Sequence, residues 1–124
     1  MHMKILDLVL KHKYYKMYED GIKTEEYREI TPYWCNRLLE DTPLGTRYWE
    51  SVLEIERERG DFDKFMNRAY KARYYTHVRF HDGYTPTTLF YEIKDITVGK
   101  GNPDWGAPDH ITFIIKLGNR IKTK

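Results

Sequence analysis

The sequence is poor in cysteine, since Cys35 is the single thiol among its 124 residues. One cysteine excludes an intramolecular disulfide, so a reducing compartment is expected. No apolar run approaches the roughly 20 residues that a membrane-spanning helix needs. No basic segment followed by an apolar stretch opens the chain. We therefore expect a cytoplasmic protein that has no membrane partner.

An excess of charge of one sign is also missing, because 21 Lys and Arg stand against 19 Asp and Glu. The net charge of +2 does not by itself indicate a polyanionic partner. The charges are nevertheless unevenly placed. Residues 64–81 hold five Lys or Arg and two His without an acid, and residues 116–124 hold four more bases, whereas acids concentrate at 40–41 and 50–63. This asymmetry fits either an anion-facing side or ordinary solvated faces.

Aromatic residues are abundant, with eleven Tyr, five Phe and three Trp. Their first use is to fill a core, although Tyr and Trp also offer stacking faces for flat ligands such as bases. The length fits one domain, over residues 1–124, which buries roughly two thirds of the surface of its unfolded chain.

Local patterns predict five strands and four helices. Thr31-Pro32 is typical of a helix start, and Gly21 and Gly60 are typical of helix ends. The predicted strands are 4–12, 24–30, 74–81, 88–96 and 110–117, and the predicted helices are 14–18, 31–39 and two between 46 and 71. The strands are too short for a doubly wound sheet. The order therefore predicts an α+β fold, a small mixed β-barrel with flanking short helices.

The strand predicted over 74–81 has two different faces. Its apolar face is formed by Tyr74, Thr76, Val78 and Phe80, and its basic, aromatic face by Tyr75, His77, Arg79 and His81. The second face is a candidate contact for RNA or phosphate, with an ordinary solvated face as the alternative. His77 and His81 lie about 13 Å apart on a strand, so they are not expected to share a metal ion.

The segment Gly21–Glu29 carries the strongest functional pattern. Alternation along a strand places Thr24, Glu26 and Arg28 on one face, with Lys23 at the mouth of the strand beside the glycine turn. Lys23, Glu26 and Arg28 are therefore expected to converge and to form a pocket for an anionic or hydrogen-bonding ligand. A salt-bridged strand end is the alternative.

The pattern Gly-x-Lys-Thr-x-Glu-x-Arg at residues 21–28 resembles the signature of ASCH domains, a branch of the PUA-like barrel superfamily. Residues 31–39 resemble the helix that follows this motif. The segments 91–99, 103–106 and 111–117 are similar to the second half of bacterial and phage members, and residues 44–72 stand apart as a two-helix insertion. The resemblance implies a PUA-like fold with a cleft for RNA or for a modified nucleoside or nucleotide.

Some bacterial relatives are similar to amidohydrolases that remove the acyl group from N4-acetylcytidine. They use a motif lysine, a threonine three residues later and a downstream glutamate. Lys23 matches the lysine, but Glu26 stands at the threonine position, and Asp104 or Asp109 would have to replace the glutamate. In an enzyme of this kind Lys23 would act as nucleophile or base, with Glu26 as its proton partner.

The predicted ligand contacts come from the motif, the basic face and the loop at 99–109. They are Lys23, Thr24, Glu26, Arg28, Tyr75, His77, Arg79 and Trp105. Trp105 is either a stacking lid or a plug for the end of the barrel. Cys35 is expected to be a buried structural thiol, and no metal or cofactor is expected. A protein-interaction domain that uses Trp49 and the acidic helix is a third hypothesis, and the oligomeric state stays open.

Overall fold

The computed structural model describes residues 3–40, 45–68 and 72–122, and these form a mixed α+β fold. The expected α+β class is therefore confirmed. The strands are β1 (Ile5–Leu10), β2 (Glu25–Arg28), β3 (His77–Asp82), β4 (Thr88–Gly99) and β5 (Thr112–Ile121). The helices are α1 (His12–Glu19), α2 (Pro32–Leu38), α3 (Gly45–Glu58) and α4 (Phe62–Arg68). One mixed sheet has the strand order β1-β3-β4-β5-β2.

The local signals for helix ends are confirmed. Gly21 has a φ of 73° after α1, and Gly60 has a φ of 81° between α3 and α4. The Thr31 side chain accepts a hydrogen bond from the Trp34 backbone at 3.3 Å, which caps α2. The two helices predicted between residues 46 and 71 are thus present. Ala69, Tyr70 and Lys71, which were expected to continue α4 and its basic segment, lie outside the described residues.

The prediction that Tyr74 lies on the apolar face of a strand is wrong. Tyr74 is 76% exposed, and β3 begins only at His77. Pairing with β1 starts at Ile5 opposite His77, and the Thr76 and His77 amides both donate to the Lys4 carbonyl. β3 therefore begins at the residue where β1 becomes available for pairing. The alternation of side chains in the sequence extends further back, to Tyr74, where no strand forms.

The bounds of the other four strands also differ from the prediction, and β1 ends at Leu10, before the predicted residue 12, because α1 begins at His12. β2 is shorter than the predicted 24–30, whereas β4 continues to Gly99 and β5 to Ile121. A large part of the basic tail at 116–124 is therefore strand, although residues 123 and 124 lie outside the described part of the chain. No helix in residues 3–40, 45–68 and 72–122 has both the length and the apolar character needed to cross a membrane.

Two compact units make up the chain. The first consists of residues 1–26, 74–96 and 115–124. Here β1 pairs in parallel with β3, which places Leu8 opposite Phe80, and β3 pairs antiparallel to β4, which places Val78 opposite Tyr91. These four side chains are buried, so the paired strands share one apolar core.

The second unit consists of residues 27–73 and 97–114. Helix α2 packs against α3, and Trp49 and Leu53 of α3 are buried. Cys35 is also fully buried, and this burial raises the pKa of its thiol to about 12. The prediction of a buried thiol is confirmed, and a thiol with this pKa stays protonated at neutral pH.

Candidate functional site

Lys23 and Glu26, predicted to converge, form a buried ion pair. Lys23 Nζ lies 3.1 Å from Glu26 Oε1, and each residue is only 4% exposed. The pair joins the turn after α1 to the first residues of β2. The Tyr18 hydroxyl lies 2.7 Å from both Glu26 Oε1 and the Glu25 carbonyl oxygen, and its single proton is donated to one of these two acceptors at a time. Both charges are thus held in one hydrogen-bonded cluster.

Aromatic rings enclose the ammonium group of this pair. Lys23 Nζ lies 4.5 Å from the centre of the Tyr14 ring and 4.9 Å from that of Tyr18. Cation–π contacts of a desolvated ammonium are worth up to about 2 kcal/mol each. Helix α1 supplies both tyrosines, so the helix before the motif provides the surroundings of its lysine.

Tyr18 is held in place from two sides. Its ring stacks on Phe80 with 4.2 Å between the ring centres, and its backbone carbonyl accepts a 2.7 Å hydrogen bond from the Tyr91 hydroxyl. The Glu26 carboxylate therefore receives its hydrogen bond from a donor whose position is fixed by core strands. A fixed donor and cation around one carboxylate form a preorganised polar group.

The remaining motif residues have different surroundings. The Thr24 side chain is exposed, and the Thr24 carbonyl accepts a hydrogen bond from the Leu117 amide at 3.0 Å. Arg28 is half-buried, and its guanidinium carbon lies 5.1 Å from the centre of the Trp34 ring on α2. The convergence of Arg28 with Lys23 and Glu26 stays a prediction.

The basic face of β3 is partly neutralised by an acid from β1. Arg79 Nε donates to Asp7 Oδ1 at 2.7 Å, and His81 Nε2 lies 2.8 Å from the same oxygen. His77 stacks on Phe90, with 5.4 Å between ring centres. Lys4 lies over the Tyr75 ring at 5.9 Å. Asp7 therefore offsets much of the charge that made this face a candidate for phosphate contacts.

The described residues contain no group of three or more His, Cys, Asp or Glu side chains that could hold a metal ion.

Replacing Asp7 with Asn is expected to reduce the loss of stability in acid. The hydrogen bond from Arg79, with a further one involving His81, holds the Asp7 pKa below its ordinary value of 3.8. A carboxyl group whose pKa is lower in the folded state stabilises the fold at pH values above its unfolded-state pKa. This contribution is lost as the pH falls through its folded-state pKa. Because the Asp7 side chain is 44% exposed, we expect its carboxylate to contribute less than about 1 kcal/mol to the free energy of unfolding.

The measurement is the thermal midpoint of parent and Asp7→Asn between about pH 2 and 6. Below the pKa of Asp7 the two curves should converge, because the parent carboxyl is then neutral as well. Asp20→Asn is the matched control, since Asp20 is exposed and lies 3.9 Å from its nearest lysine. Curves that stay parallel through the whole range would exclude this role for Asp7.

The other candidate residues lie in the second unit. Trp105 is half-buried at the end of a short 3-10 helix, Pro103–Trp105, within the predicted loop. Asp104 lies in the same helix, where its amide donates to the Asn102 side chain at 2.9 Å. Asp109 is exposed and lines an open cleft. The choice between a lid and a plug for Trp105 stays a prediction.

This cleft was not predicted from the sequence. It has a volume of about 560 Å³ and lies entirely within the second unit. Its lining comes from the end of the motif, α3, α4 and the segments on either side of the 3-10 helix, and consists of Glu29, Ile30, Thr31, Arg57, Phe62, Asp63, Lys100, Asp109, His110 and Ile111. A volume of 300–1,000 Å³ is typical of small-molecule sites.

A smaller cavity of about 260 Å³ shares Glu29 with the cleft. Tyr27 and Thr112 belong to its lining, and the Tyr27 hydroxyl accepts a 2.9 Å hydrogen bond from the Asn102 amide. The Thr112 hydroxyl is buried and has no hydrogen-bond partner among the described residues. A buried hydroxyl that stays unsatisfied costs about 1–3 kcal/mol.

Comparison of the chain with family models, with curated proteins and with solved structures finds no match.

Proposed function

We propose that the chain is a cytoplasmic PUA-like domain of the ASCH type that binds a nucleotide or RNA in a polar cleft around Lys23, Glu26 and Arg28. The observation that carries the proposal is the buried Lys23–Glu26 pair at the position of the motif. An ion pair in an apolar core is weak support for stability, because apolar residues of similar volume often serve as well. Ionisable side chains that are buried beside a specific charge partner are candidates for a functional site.

The surroundings of the motif support a flat, hydrogen-bonding ligand. The exposed Thr24 side chain lies between Lys23 and Glu26 in the sequence, and the Arg28 guanidinium offers a planar fork that suits phosphate or base edges. The basic face of β3 contributes less phosphate contact than its sequence suggests, because Asp7 is bonded to Arg79 and His81. This neutralisation favours a nucleotide over a long RNA as the ligand.

The second candidate function is a small amidohydrolase acting on N4-acylated cytidine. Its specific support is the lysine with a carboxylate 3.1 Å away, both shielded from water. Such an arrangement allows Lys23 to act as nucleophile or base while Glu26 takes or returns the proton. Tyr18, whose hydroxyl is 2.7 Å from the same carboxylate, would position Glu26.

One experiment separates the two functions. The protein is incubated with N4-acetylcytidine, and separately with a short single-stranded RNA and with mononucleotides at about 50 and 200 mM salt. Turnover that disappears in Lys23→Arg and Glu26→Gln supports the hydrolase. Salt-sensitive binding without turnover supports the binding domain.

The control is Lys16→Ala, which removes an exposed lysine of α1 outside the motif. It should leave both binding and turnover unchanged. Neither binding nor turnover in the parent protein would overturn both functions. A change in Lys16→Ala as large as that in Lys23→Arg would remove the assignment to the motif.

A further inference from the structure

The open cleft of the second unit combines three kinds of surface. Its apolar wall includes Ile30, Phe62 and Ile111. Cationic groups come from Arg57 and Lys100, and carboxylates from Glu29, Asp63 and Asp109. None of these residues belongs to the Lys23–Glu26–Arg28 set. A ligand that uses the whole cleft must therefore carry an apolar body, an anionic group and hydrogen-bond donors.

Arg57 is held in a fixed orientation. Its Nη2 donates to the Ile30 carbonyl at 2.8 Å, and its guanidinium carbon lies 4.5 Å from the centre of the Phe62 ring. These two contacts use one N–H group and one face, so the fork stays in place for a further acceptor. A guanidinium fork of fixed orientation suits the paired oxygens of a phosphate.

Lys100 is the second cation of the cleft, and it forms no ion pair with any described residue. Asp63 and Asp109 are likewise exposed carboxylates without an ion-pair partner in the described chain. Glu29 differs, because both of its carboxylate oxygens lie within 2.8 Å of His110 Nε2. The cleft therefore presents cations and carboxylates that the fold itself leaves available to a ligand.

We propose that this cleft binds a nucleoside monophosphate, either free or as the terminal nucleotide of an RNA. The phosphate lies at Arg57 and Lys100, the base lies against the apolar wall, and hydroxyl or amino groups donate to Asp63 and Asp109. The phosphate is placed at the two cations because the three carboxylates of the cleft, Glu29, Asp63 and Asp109, would repel it. The volume of about 560 Å³ accommodates a ligand of this size. The inference rests on the proposed function for its ligand class and assigns that class to a second site.

The test titrates the full chain with AMP, GMP, CMP and UMP, and with a 5′-phosphorylated trinucleotide RNA, by calorimetry. We expect Lys100→Glu to weaken binding by at least about tenfold, the loss that corresponds to one charge-assisted hydrogen bond. Arg57→Lys keeps the charge but loses the fork, and should weaken binding as well. Lys94→Glu is the matched control, because Lys94 is an exposed lysine of β4 that does not line the cleft.

Each outcome decides the inference. If free mononucleotides bind and Lys100→Glu weakens this binding, the ligand is a free nucleotide. If only the RNA binds and Lys100→Glu weakens its binding to the same extent, the ligand is the end of an RNA. No binding, equal loss in Lys94→Glu, or equally tight binding of inorganic phosphate overturns it. Glu26→Gln removes binding at the motif site only, so a component of mononucleotide binding that survives in Glu26→Gln and is lost in Lys100→Glu belongs to the cleft. Failure of the cleft inference is thus distinguishable from failure of the motif site.

Discussion

Replacing Lys23 by Met is expected to lower the free energy of unfolding by about 3–5 kcal/mol, the cost of breaking a buried ion pair by removing one partner. The Glu26 carboxylate would keep its hydrogen bond from Tyr18 but lose the cation 3.1 Å away. The two cation–π contacts of Lys23 would also disappear. Urea denaturation at neutral pH measures this change directly.

The double variant Lys23→Met/Glu26→Met should recover most of the loss. It removes the uncompensated charge, and the Tyr18 hydroxyl still has the Glu25 carbonyl as acceptor at 2.7 Å. Replacing both members of a buried pair by apolar residues is often neutral or stabilising. Lys16→Met, at an exposed lysine, should leave the urea midpoint nearly unchanged. A single variant as stable as the parent, or a double variant less stable than the single one, would contradict this account.

This pattern would separate stability from function at the motif. If the double variant folds well but loses nucleotide binding at the motif and any turnover, the charges serve the ligand and not the fold. Tyr18→Phe offers an intermediate case, because it removes the donor 2.7 Å from Glu26 and leaves the stacking on Phe80 in place. Its effect on binding measures how far the orientation of the Glu26 carboxylate matters.

The Lys23–Glu26 pair could be predicted from the sequence because it is local. Its members are three positions apart, and Gly21 fixes the turn that brings the lysine to the mouth of the strand. The start of α2 was predictable for the same reason, since Thr31 caps the helix within its own segment. Signals that act over three or four residues survive in any tertiary context that keeps the turn.

The features that the sequence did not reveal depend on residues far apart in the chain. Asp7 and Arg79 are 72 positions apart, and only the parallel pairing of β1 with β3 places them side by side. Their pairing changes the charge of a face that had seemed purely basic. The true start of β3 was missed because it depends on Lys4, which no pattern around Tyr74 can indicate.

The cleft is an extreme case of the same limit. Glu29, Arg57 and His110 reach it from three separate segments, and no spacing links them. The sequence did not single out Arg57, and His110 was predicted to be the first residue of a strand. A usable signal was present in Asp109, which was considered as a carboxylate donor for a different site.

Gly101→Ala is expected to destabilise the second unit by about 2–4 kcal/mol, through overpacking and loss of one hydrogen bond. A Cβ at position 101 would lie 2.7 Å from Cδ1 of the Tyr27 ring and closer still to its neighbouring carbons. The ring cannot move away freely, because its hydroxyl accepts a hydrogen bond of 2.9 Å from the Asn102 amide. Urea or thermal unfolding measures the change.

Gly99→Ala is the control, since it introduces the same methyl group two residues earlier. Its Cβ would lie 3.6 Å from Ile114 Cδ1, which is an ordinary van der Waals distance. Neither glycine has a φ in the left-handed region, so the comparison isolates the steric effect. Equal destabilisation by the two variants would show that general strand or loop propensity, and not the Tyr27 ring, sets the cost.

A double-mutant cycle with Tyr27→Phe identifies how the ring resists displacement. Phe keeps the ring but lacks the hydroxyl that Asn102 holds, so the ring can shift away from a new methyl group. The cost of Gly101→Ala should therefore fall by about 1 kcal/mol in the Tyr27→Phe background. Because Tyr27 lines the smaller cavity beside Glu29, the same displacement should reshape that cavity. Strictly additive effects would mean that the ring is held by its packing and not by its hydroxyl.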